Sequence, residues 1–173
     1  EDQSLEEQQQ TERIFTKAAE LGEKKYQEDL GNFYLYKEDR NQAIKWFTLA
    51  ANNNQKELYL TMTLSEYKLG HIYLEMKDIE NAIKWFTLAT NYNQNNAFRY
   101  YTTDSQYQLG RIYLDRKDIE NAIKWFTLAA NNNSEEMLVY HGVESQYQLG
   151  LIYLKIKDIE NAIKWFTLAA NKD

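Results

Sequence analysis

A motif that recurs along the chain constrains the fold more than any other feature of the sequence. KDIENAIKWFTLA stands at Lys77–Ala89, Lys117–Ala129 and Lys157–Ala169, and a looser copy, EDRNQAIKWFTLA, stands at Glu38–Ala50. The tryptophans of successive copies are separated by 39, 40 and 40 residues. Self-similarity at a fixed period of this length is typical of stacked-repeat proteins, in which each unit buries its apolar face against its neighbours.

Each unit is predicted to be a helical hairpin. In the three regular units the apolar residues recur at helical spacing on both sides of a short Lys-Asp turn. The predicted first helices cover about 55–76, 95–116 and 135–156, and the predicted second helices cover about 79–91, 119–131 and 159–171. The aspartates that precede the second helices are expected to cap them; these are Asp39, Asp78, Asp118 and Asp158.

The segment before the first hairpin reads as a single capping helix at 4–21, followed by Gly22 as a left-handed stop. We therefore predict one domain, 1–173, of the all-α class: a right-handed α-α superhelical solenoid of about four helical hairpins plus the N-terminal capping helix. The predicted repeats cover about 23–54, 55–94, 95–134 and 135–173. No closing helix follows the last repeat, so we expect either a cut sequence or a C-terminal face, around Trp165, that packs on another chain.

Composition excludes several classes of function. The net charge is −6 and no basic stripe is visible, so we expect no nucleic-acid partner. The chain has no cysteine, and no apolar run approaches the roughly 18 residues of a membrane span. No signal peptide is visible, but the chain opens on Glu1, which leaves a cytoplasmic, periplasmic or secreted location open. The low glycine content, with many Asn and Lys residues, suggests a bacterial protein.

Signals for catalysis are absent from the sequence. The only two histidines, His71 and His141, lie in different units, and no HExxH, phosphate-loop or dinucleotide fingerprint occurs. We therefore predict that the chain is not an enzyme and has no metal site and no cofactor.

Leu-Gly-x-x-Tyr followed by Ala-x-x-x-Phe occurs in every unit, with twelve residues from Gly to Ala, and this pattern resembles the tetratricopeptide repeat. We expect the Gly to let the Ala of the second helix approach closely. Two family features are missing, the Trp before Leu-Gly and the closing Pro. AIKWFTLAA and KAAELG resemble the related Sel-one-like repeat, so the chain is identified as a member of the combined superfamily. The pattern residues of one unit are Leu109, Gly110, Tyr113, Ala122 and Phe126.

The resemblance implies protein–protein binding in a concave groove lined by the first helices. Residues that vary between units, or that share a helix face with them at spacings of four and seven, are the candidate partner-binding residues. An aromatic stripe with an arginine is typical of interface hot spots. Alternatively, the rings of Tyr67, Tyr107 and Tyr147 pack between adjacent first helices and show only their hydroxyls. The candidates are Tyr67, His71, Tyr100, Tyr107, Arg111, Tyr140, Tyr147 and Leu151.

The four tryptophans occupy identical slots and are predicted to be core residues rather than ligand contacts. The function that follows is a non-catalytic protein–protein interaction scaffold that binds a protein or peptide in the groove. Two alternatives stay open at this point. One is a bacterial immunity or inhibitor protein that neutralises a toxin or effector enzyme, and the other is a self-assembling module that associates through its C-terminal face.

Overall fold

The computed structural model describes residues 2–53, 62–91, 99–132 and 139–171, and within these ranges every regular element is a helix. The predicted fold class, an all-α solenoid of helical hairpins behind a capping helix, is confirmed by the helix order. The predicted starts of the first helices at 55, 95 and 135 lie outside the described residues. The helices are α1 (Asp2–Glu20), α2 (Lys24–Tyr36), α3 (Arg40–Asn52), α4 (Met62–Glu75), α5 (Ile79–Thr90), α6 (Arg99–Asp115), α7 (Ile119–Asn131), α8 (Val139–Lys155) and α9 (Ile159–Ala170).

The turn inside each hairpin is built by a pair of residues that ends in aspartate, which is Lys-Asp in the last three hairpins and Glu38-Asp39 in the first. Lys77 adopts a left-handed conformation, φ 60°, and its N–H donates to the carbonyl of Leu74, while the N–H of Asp78 donates to the carbonyl of Tyr73. This is the Schellman arrangement that ends a helix. The Asp78 side chain then accepts a hydrogen bond from the Asn81 N–H at 3.2 Å, which caps α5. The predicted caps are confirmed in all four hairpins, with Asp39, Asp118 and Asp158 at the other three.

The helices of a hairpin meet where a first-helix glycine faces a phenylalanine. A Cβ atom on Gly110 would lie 2.6 Å from the Phe126 ring, which is closer than two carbon atoms can approach. The expectation that this glycine makes room for Ala122 is therefore wrong. Phe126 lies one helical turn after Ala122 on the same face, and its ring covers the glycine. The same contact recurs between Gly31 and Phe47, Gly70 and Phe86, and Gly150 and Phe166.

The tryptophans connect consecutive hairpins, as predicted for core residues. Trp46, Trp85 and Trp165 are 4%, 7% and 8% exposed. Trp85 packs in one cluster with Ala43 and Phe47 of the preceding hairpin. Trp46 packs against Ala19 of the capping helix, and Trp125, which is only partly buried, packs against Ala82 and Phe86 of the preceding hairpin. The core therefore runs along the stack, as a solenoid requires.

The outer face of α9 is exposed. Ile159 and Ile163 are 53% and 62% exposed, whereas their counterparts Ile119 and Ile123 in α7 pack against the next hairpin. Trp165 does not lie on this face, which corrects the expectation that it marks the open end of the stack. It packs backwards against α7 and α8 because its slot faces the preceding hairpin. None of the helices in the described ranges is long and apolar enough to cross a bilayer.

Candidate functional site

The candidate residues lie on the first helices of the last three hairpins. We call the surface formed by α4, α6 and α8 the first-helix face; α6 lies between the other two and contacts both. Tyr67 and His71 come from α4, and Tyr140, Tyr147 and Leu151 come from α8. The remaining candidates, Tyr100, Tyr107 and Arg111, come from α6.

A buried carboxylate stands at the centre of this face. The side chain of Asp104, on α6, is 2% exposed. His71 Nε2, on α4, lies 2.9 Å from Asp104 Oδ2, and His141 Nε2, on α8, lies 3.1 Å from Asp104 Oδ1. The only two histidines of the chain therefore meet at one acid and join three consecutive first helices.

Two further donors complete the environment of this carboxylate. Gln108 Nε2 donates to Asp104 Oδ1 at 3.2 Å, and the Tyr67 hydroxyl also donates to Asp104. We call Asp104, His71, His141, Gln108 and Tyr67 the Asp104 cluster. Burial alone would raise the pKa of Asp104, but the hydrogen bonds from His71 and Tyr67 and the charges of both histidines hold it below its usual value. The acid is therefore ionised at neutral pH.

Aromatic rings surround the two imidazoles. The His71 ring centroid lies 4.5 Å from that of Tyr67 and 5.1 Å from that of Phe86. Burial raises the pKa of Tyr67, and the charge of Asp104 raises it further. The ring of His141 has three tyrosine neighbours at 5.1–5.8 Å between centroids, namely Tyr107, Tyr140 and Tyr100. The imidazoles are thus oriented by packing as well as by hydrogen bonds.

The side of the face toward α8 is more open. The Arg111 guanidinium lies 5.9 Å from the centroid of the Tyr107 ring and is exposed, with no ion pair to any residue that the structure describes. Tyr147 and Leu151 are 46% and 38% exposed. Burial raises the pKa of Tyr107, as does the charge of Glu144, while Arg111 lowers it. This side offers a cation with aromatic and aliphatic neighbours.

The structure thus divides the candidates into two groups. Tyr67 packs against the ring of Tyr101, with 5.0 Å between centroids, in the contact between adjacent first helices. The first group surrounds the buried acid or its histidines and consists of Tyr67, His71, Tyr100, Tyr107 and Tyr140. Arg111, Tyr147 and Leu151 form the open group, which we call the Arg111 patch. Tyr107 belongs to both groups, because its ring contacts the ring of His141 and also lies under the Arg111 guanidinium.

Sequence reasoning missed Asp104 and His141 as parts of the site. Asp104 stands in the interior of a helix, where aspartate is unfavourable because its side chain competes for backbone hydrogen bonds. That local conflict was the available signal, together with the presence of only two histidines. The sequence did not show that all three would meet, because they are 33 and 37 residues apart. Within the described ranges, no group of three or more His, Asp or Glu side chains is arranged to hold a metal ion.

A second buried polar group lies where α2 meets α4. Lys24, Glu28 and Glu66 are 5%, 5% and 3% exposed, and Ser65 Oγ donates to Glu28 Oε1 at 2.9 Å. We call these four residues the Glu66 cluster. Burial raises the pKa of Glu28 and of Glu66 to about 7 each, and it lowers the pKa of Lys24. Among the described residues, Lys24 Nζ and Glu66 Oε2 have no hydrogen-bond partner.

Two family profiles match the chain, and together they cover all four hairpins. The family described as Tetratricopeptide repeat matches residues 67–96 and 143–171. The family described as Sel1 repeat, the Sel-one-like family, matches 26–55 and 103–134. No curated protein matches the chain by sequence.

Solved structures share the fold at low sequence identity. The crystal structure of MamA superposes with a TM-score of 0.67 at 19% identity and covers 98% of this chain and 91% of that one. MamA 41-end from Desulfovibrio magneticus RS-1 gives 0.61 at 17% identity, over 95% and 85%. YrrB, described as a TPR protein with an unusual peptide-binding site, gives 0.63 at 18% identity, over 99% and 80%. These likenesses establish the fold.

Proposed function

We propose that this chain, which belongs to the tetratricopeptide and Sel-one-like repeat superfamily, is a non-catalytic scaffold that binds a protein or peptide partner on its first-helix face. Repeats of this superfamily are interaction modules in general, and one structural neighbour is described by its peptide-binding site. The charged groups of the Asp104 cluster are occupied with one another. Arg111 is exposed outside that cluster, as is the Tyr140 side chain, which is 74% exposed. We take the Arg111 patch as the part of the face that meets a partner, because it alone adds an exposed cation.

The observation that carries this proposal is the exposed guanidinium of Arg111 on the ring of Tyr107. The guanidinium is planar, so its donors suit bidentate pairing with a carboxylate, and its position over the Tyr107 ring adds a cation–π contact. Tyr147 and Leu151, exposed on the neighbouring helix α8, offer apolar contact area, and hot spots combine such anchors. The chemistry fits a peptide segment that carries an Asp or Glu next to an apolar side chain.

A charge-reversal experiment tests the proposal. Fluorescent peptide libraries are prepared with either acidic-apolar or basic-apolar pairs at fixed positions. We expect the unchanged chain to retain the acidic set and the Arg111→Glu variant to lose it. Tyr107→Ala should weaken binding without changing the charge preference, because the ring supports the cation but does not carry the charge.

The control is Lys124→Glu, which makes the same change of charge on an exposed residue of a second helix. It should leave peptide retention unchanged, and circular dichroism confirms that every variant is folded. Equal retention of both libraries by the unchanged chain, or equal losses in the Arg111 and Lys124 variants, would contradict the proposal. If a protein that carries such a segment is an enzyme, and binding to this face inactivates it, the chain acts as an inhibitor rather than as a scaffold.

Self-association is a second candidate, favoured by the exposed Ile159 and Ile163 on the outer face of α9. The counterparts of these residues in α7 are covered by the following hairpin. Ile163→Glu should disperse any oligomer formed through this face, as measured by sedimentation over a range of concentrations. A chain that stays monomeric at the highest concentration would exclude this candidate.

A further inference from the structure

We propose that the outer face of α9 is a docking site for an amphipathic helix of a different protein, one that carries a Leu and an Ile three residues apart and a cation four residues after the Ile. The outer face comprises Ile159, Ile163, Phe166 and Ala170, which follow one another at helical spacing. The inference does not depend on the partner that the first-helix face binds.

The same face occurs in α7, where a following hairpin covers it. Residues 157–169 and 117–129 have the same sequence. In α7 the four counterparts of the outer face are buried or partly buried; they are Ile119, Ile123, Phe126 and Ala130. In α9 all four side chains are more exposed, with Ile163 at 62%. Because the side chains are the same, the difference comes from what packs on them, and the outer face of α9 is an inter-hairpin contact surface whose second side is open.

The chain itself contains three examples of the helix that fits such a face. Each following first helix presents a Leu and, three residues later, an Ile to the second helix before it. Leu149 and Ile152 of α8 pack in one cluster with Phe126 of α7. The same contact is made on α5 and on α3, by the pairs Leu109 with Ile112 and Leu69 with Ile72. We therefore expect the occupant of the outer face of α9 to carry this pair.

Charged residues at the edge of two of these contacts add a further requirement. Glu80, in the first turn of α5, accepts at 2.6 Å from Arg116, which directly follows α6 and stands four residues after the Ile of its pair. Between α3 and α4 the pair has the reverse sense, with Arg40 donating to Glu75. The first turn of α9 carries Glu160, which is exposed and has no ion pair to any residue in the described ranges. A cation at the Arg116 position of an incoming helix would therefore find a partner there.

A second copy of this chain cannot supply such a helix without opening its own stack. The leucines of the three pairs are fully buried and the isoleucines are 3–5% exposed, so each pair is already packed inside the chain. The capping helix exposes Ile14 and, just after its end, Leu21 is exposed as well, but these two residues are seven positions apart and do not have the spacing of the pair. The partner that fits the outer face of α9 is therefore a different protein.

Binding of a labelled peptide to the full chain tests the proposal. The probe has the sequence of residues 99–116, RYYTTDSQYQLGRIYLDR, which carries the Leu, the Ile and the Arg of the pattern. A lactam bridge that replaces the side chains at positions 107 and 111 holds the probe helical, on the side away from Leu109. We expect saturable binding by fluorescence anisotropy. A bridged control peptide with Leu109→Ser and Ile112→Ser should not bind.

Two variants of α9 form a matched pair. Ile163→Glu should weaken binding of the probe by about tenfold or more, because the docked helix would bury an unpaired charge. Leu168→Glu makes the same kind of change on the same helix, at a residue that is 40% exposed. Its counterparts Leu88 and Leu128 stay 37% and 41% exposed although following hairpins cover α5 and α7. Leu168 therefore lies outside the contact, and this variant should bind the probe as the unchanged chain does.

A charge exchange tests the requirement for a cation. Glu160→Lys should weaken binding of the probe by up to about fivefold, and a probe with Arg116→Glu should restore binding to this variant. A failure to restore it would contradict the pairing of the occupant's cation with Glu160. Circular dichroism confirms that the variants are folded, and Ile159→Glu takes the place of Ile163→Glu if that variant does not fold.

Three results would overturn the proposal. The first is that the bridged probe does not bind, or binds no better than the control peptide. The second is equal binding of the probe by the Ile163→Glu and Leu168→Glu variants. The third is an oligomer of the chain, seen by sedimentation, that Ile163→Glu disperses and the probe does not, since a second copy would then be the occupant of the outer face of α9.

Discussion

The two buried polar clusters lie in the same kind of place, between neighbouring first helices, yet their acids have opposite shifts. Asp104 accepts from two imidazoles, an amide and a phenol, and its pKa is lowered. Glu28 and Glu66 are about as deeply buried but have few donors, and the pKa of each is raised to about 7. Burial alone therefore does not decide whether an acid is ionised; the number of donors that come with it does.

The origin of the difference can be traced to one slot of the repeat. Every hairpin has a glycine on its first helix, and the slot in question lies four residues before it. Three of the four hairpins carry an amide in this slot, at Gln27, Gln106 and Gln146. Gln27 Nε2 donates to the carbonyl of Ala19, and Gln106 Oε1 accepts from Asn132. The second hairpin carries Glu66 in this slot. The Glu66 cluster therefore differs from the equivalent positions of the other hairpins by a carboxyl in place of an amide.

The largest effect should come from removing the acceptor of the Asp104 cluster. Asp104→Ala leaves two imidazoles, an amide and a phenol without their shared partner, and we expect it to cost about 3–5 kcal/mol of unfolding free energy at pH 7, where Asp104 is ionised. Urea denaturation followed by circular dichroism measures this. Asp115→Ala, which changes an exposed aspartate of the same helix, should stay within about 0.5 kcal/mol of the unchanged chain. Equal losses of unfolding free energy for the two variants would show that the donors around Asp104 add no stability beyond that of an exposed aspartate.

Removal of an acid from the Glu66 cluster should raise the unfolding free energy, whereas removal of Asp104 should lower it. A folded-state pKa of about 7 lies above the unfolded value, so the folded chain holds protons that the unfolded chain has lost, and stability falls as the pH rises from about 4.5 to 7. Glu66→Gln should reduce this fall and stabilise the chain at pH 8 by about 1–3 kcal/mol. Thermal unfolding at pH 4.5, 6 and 8 checks it, and parallel profiles for the two chains would contradict it.

Two serines in equivalent slots give a smaller, matched test. Ser65 and Ser105 are both fully buried, but only the Ser65 hydroxyl has a hydrogen-bond partner among the described residues, which is Glu28. Ser65→Ala should cost about 1 kcal/mol and raise the pKa of Glu28 further. Ser105→Ala should be neutral or slightly stabilising, as measured by urea unfolding at pH 8. A larger loss for Ser105→Ala would show that this comparison of donors is wrong.

The smallest effect is expected for an ion pair outside both clusters. Arg116 donates to Glu80 at 2.6 Å, but the Glu80 side chain is 81% exposed. Solvent and salt screen such a pair, so Glu80→Gln should change the unfolding free energy by less than about 0.5 kcal/mol. Double-mutant analysis with Arg116→Gln at low and high salt measures the coupling. A coupling energy as large as the loss of unfolding free energy in Asp104→Ala would show that burial of a polar contact contributes less to stability than we infer.

The parts of the fold that the sequence predicted are those with local signals. The hairpin turn depends on residues within a few positions of Asp78, and the same signals recur in every unit, so helix type, order and caps were predictable. The glycine–phenylalanine contact was assigned to the wrong partner. Twelve residues separate Gly110 from Ala122, and only the rotation of one helix against the other shows that the Phe126 ring fills the gap.

The candidate site was predicted less completely, for a related reason. The helical spacing of Tyr67, Tyr107 and Arg111 places them on a common face of the first helices, which can be read within one unit. The meeting of His71, Asp104 and His141 depends on the separation and register of three helices. Those quantities are set by core packing between units, and no short-range pattern in the sequence reports them.

The near identity of the second helices has a consequence for the order of the units. Because every unit presents the same Gly–Phe contact, the units are alike in that part of the core. Several buried polar groups of the first helices differ from unit to unit, among them Glu66 and Asp104. A chain in which units 95–134 and 135–173 exchanged places would keep its core contacts but place Asp104 two units away from His71. The polar interior therefore specifies which unit stands where.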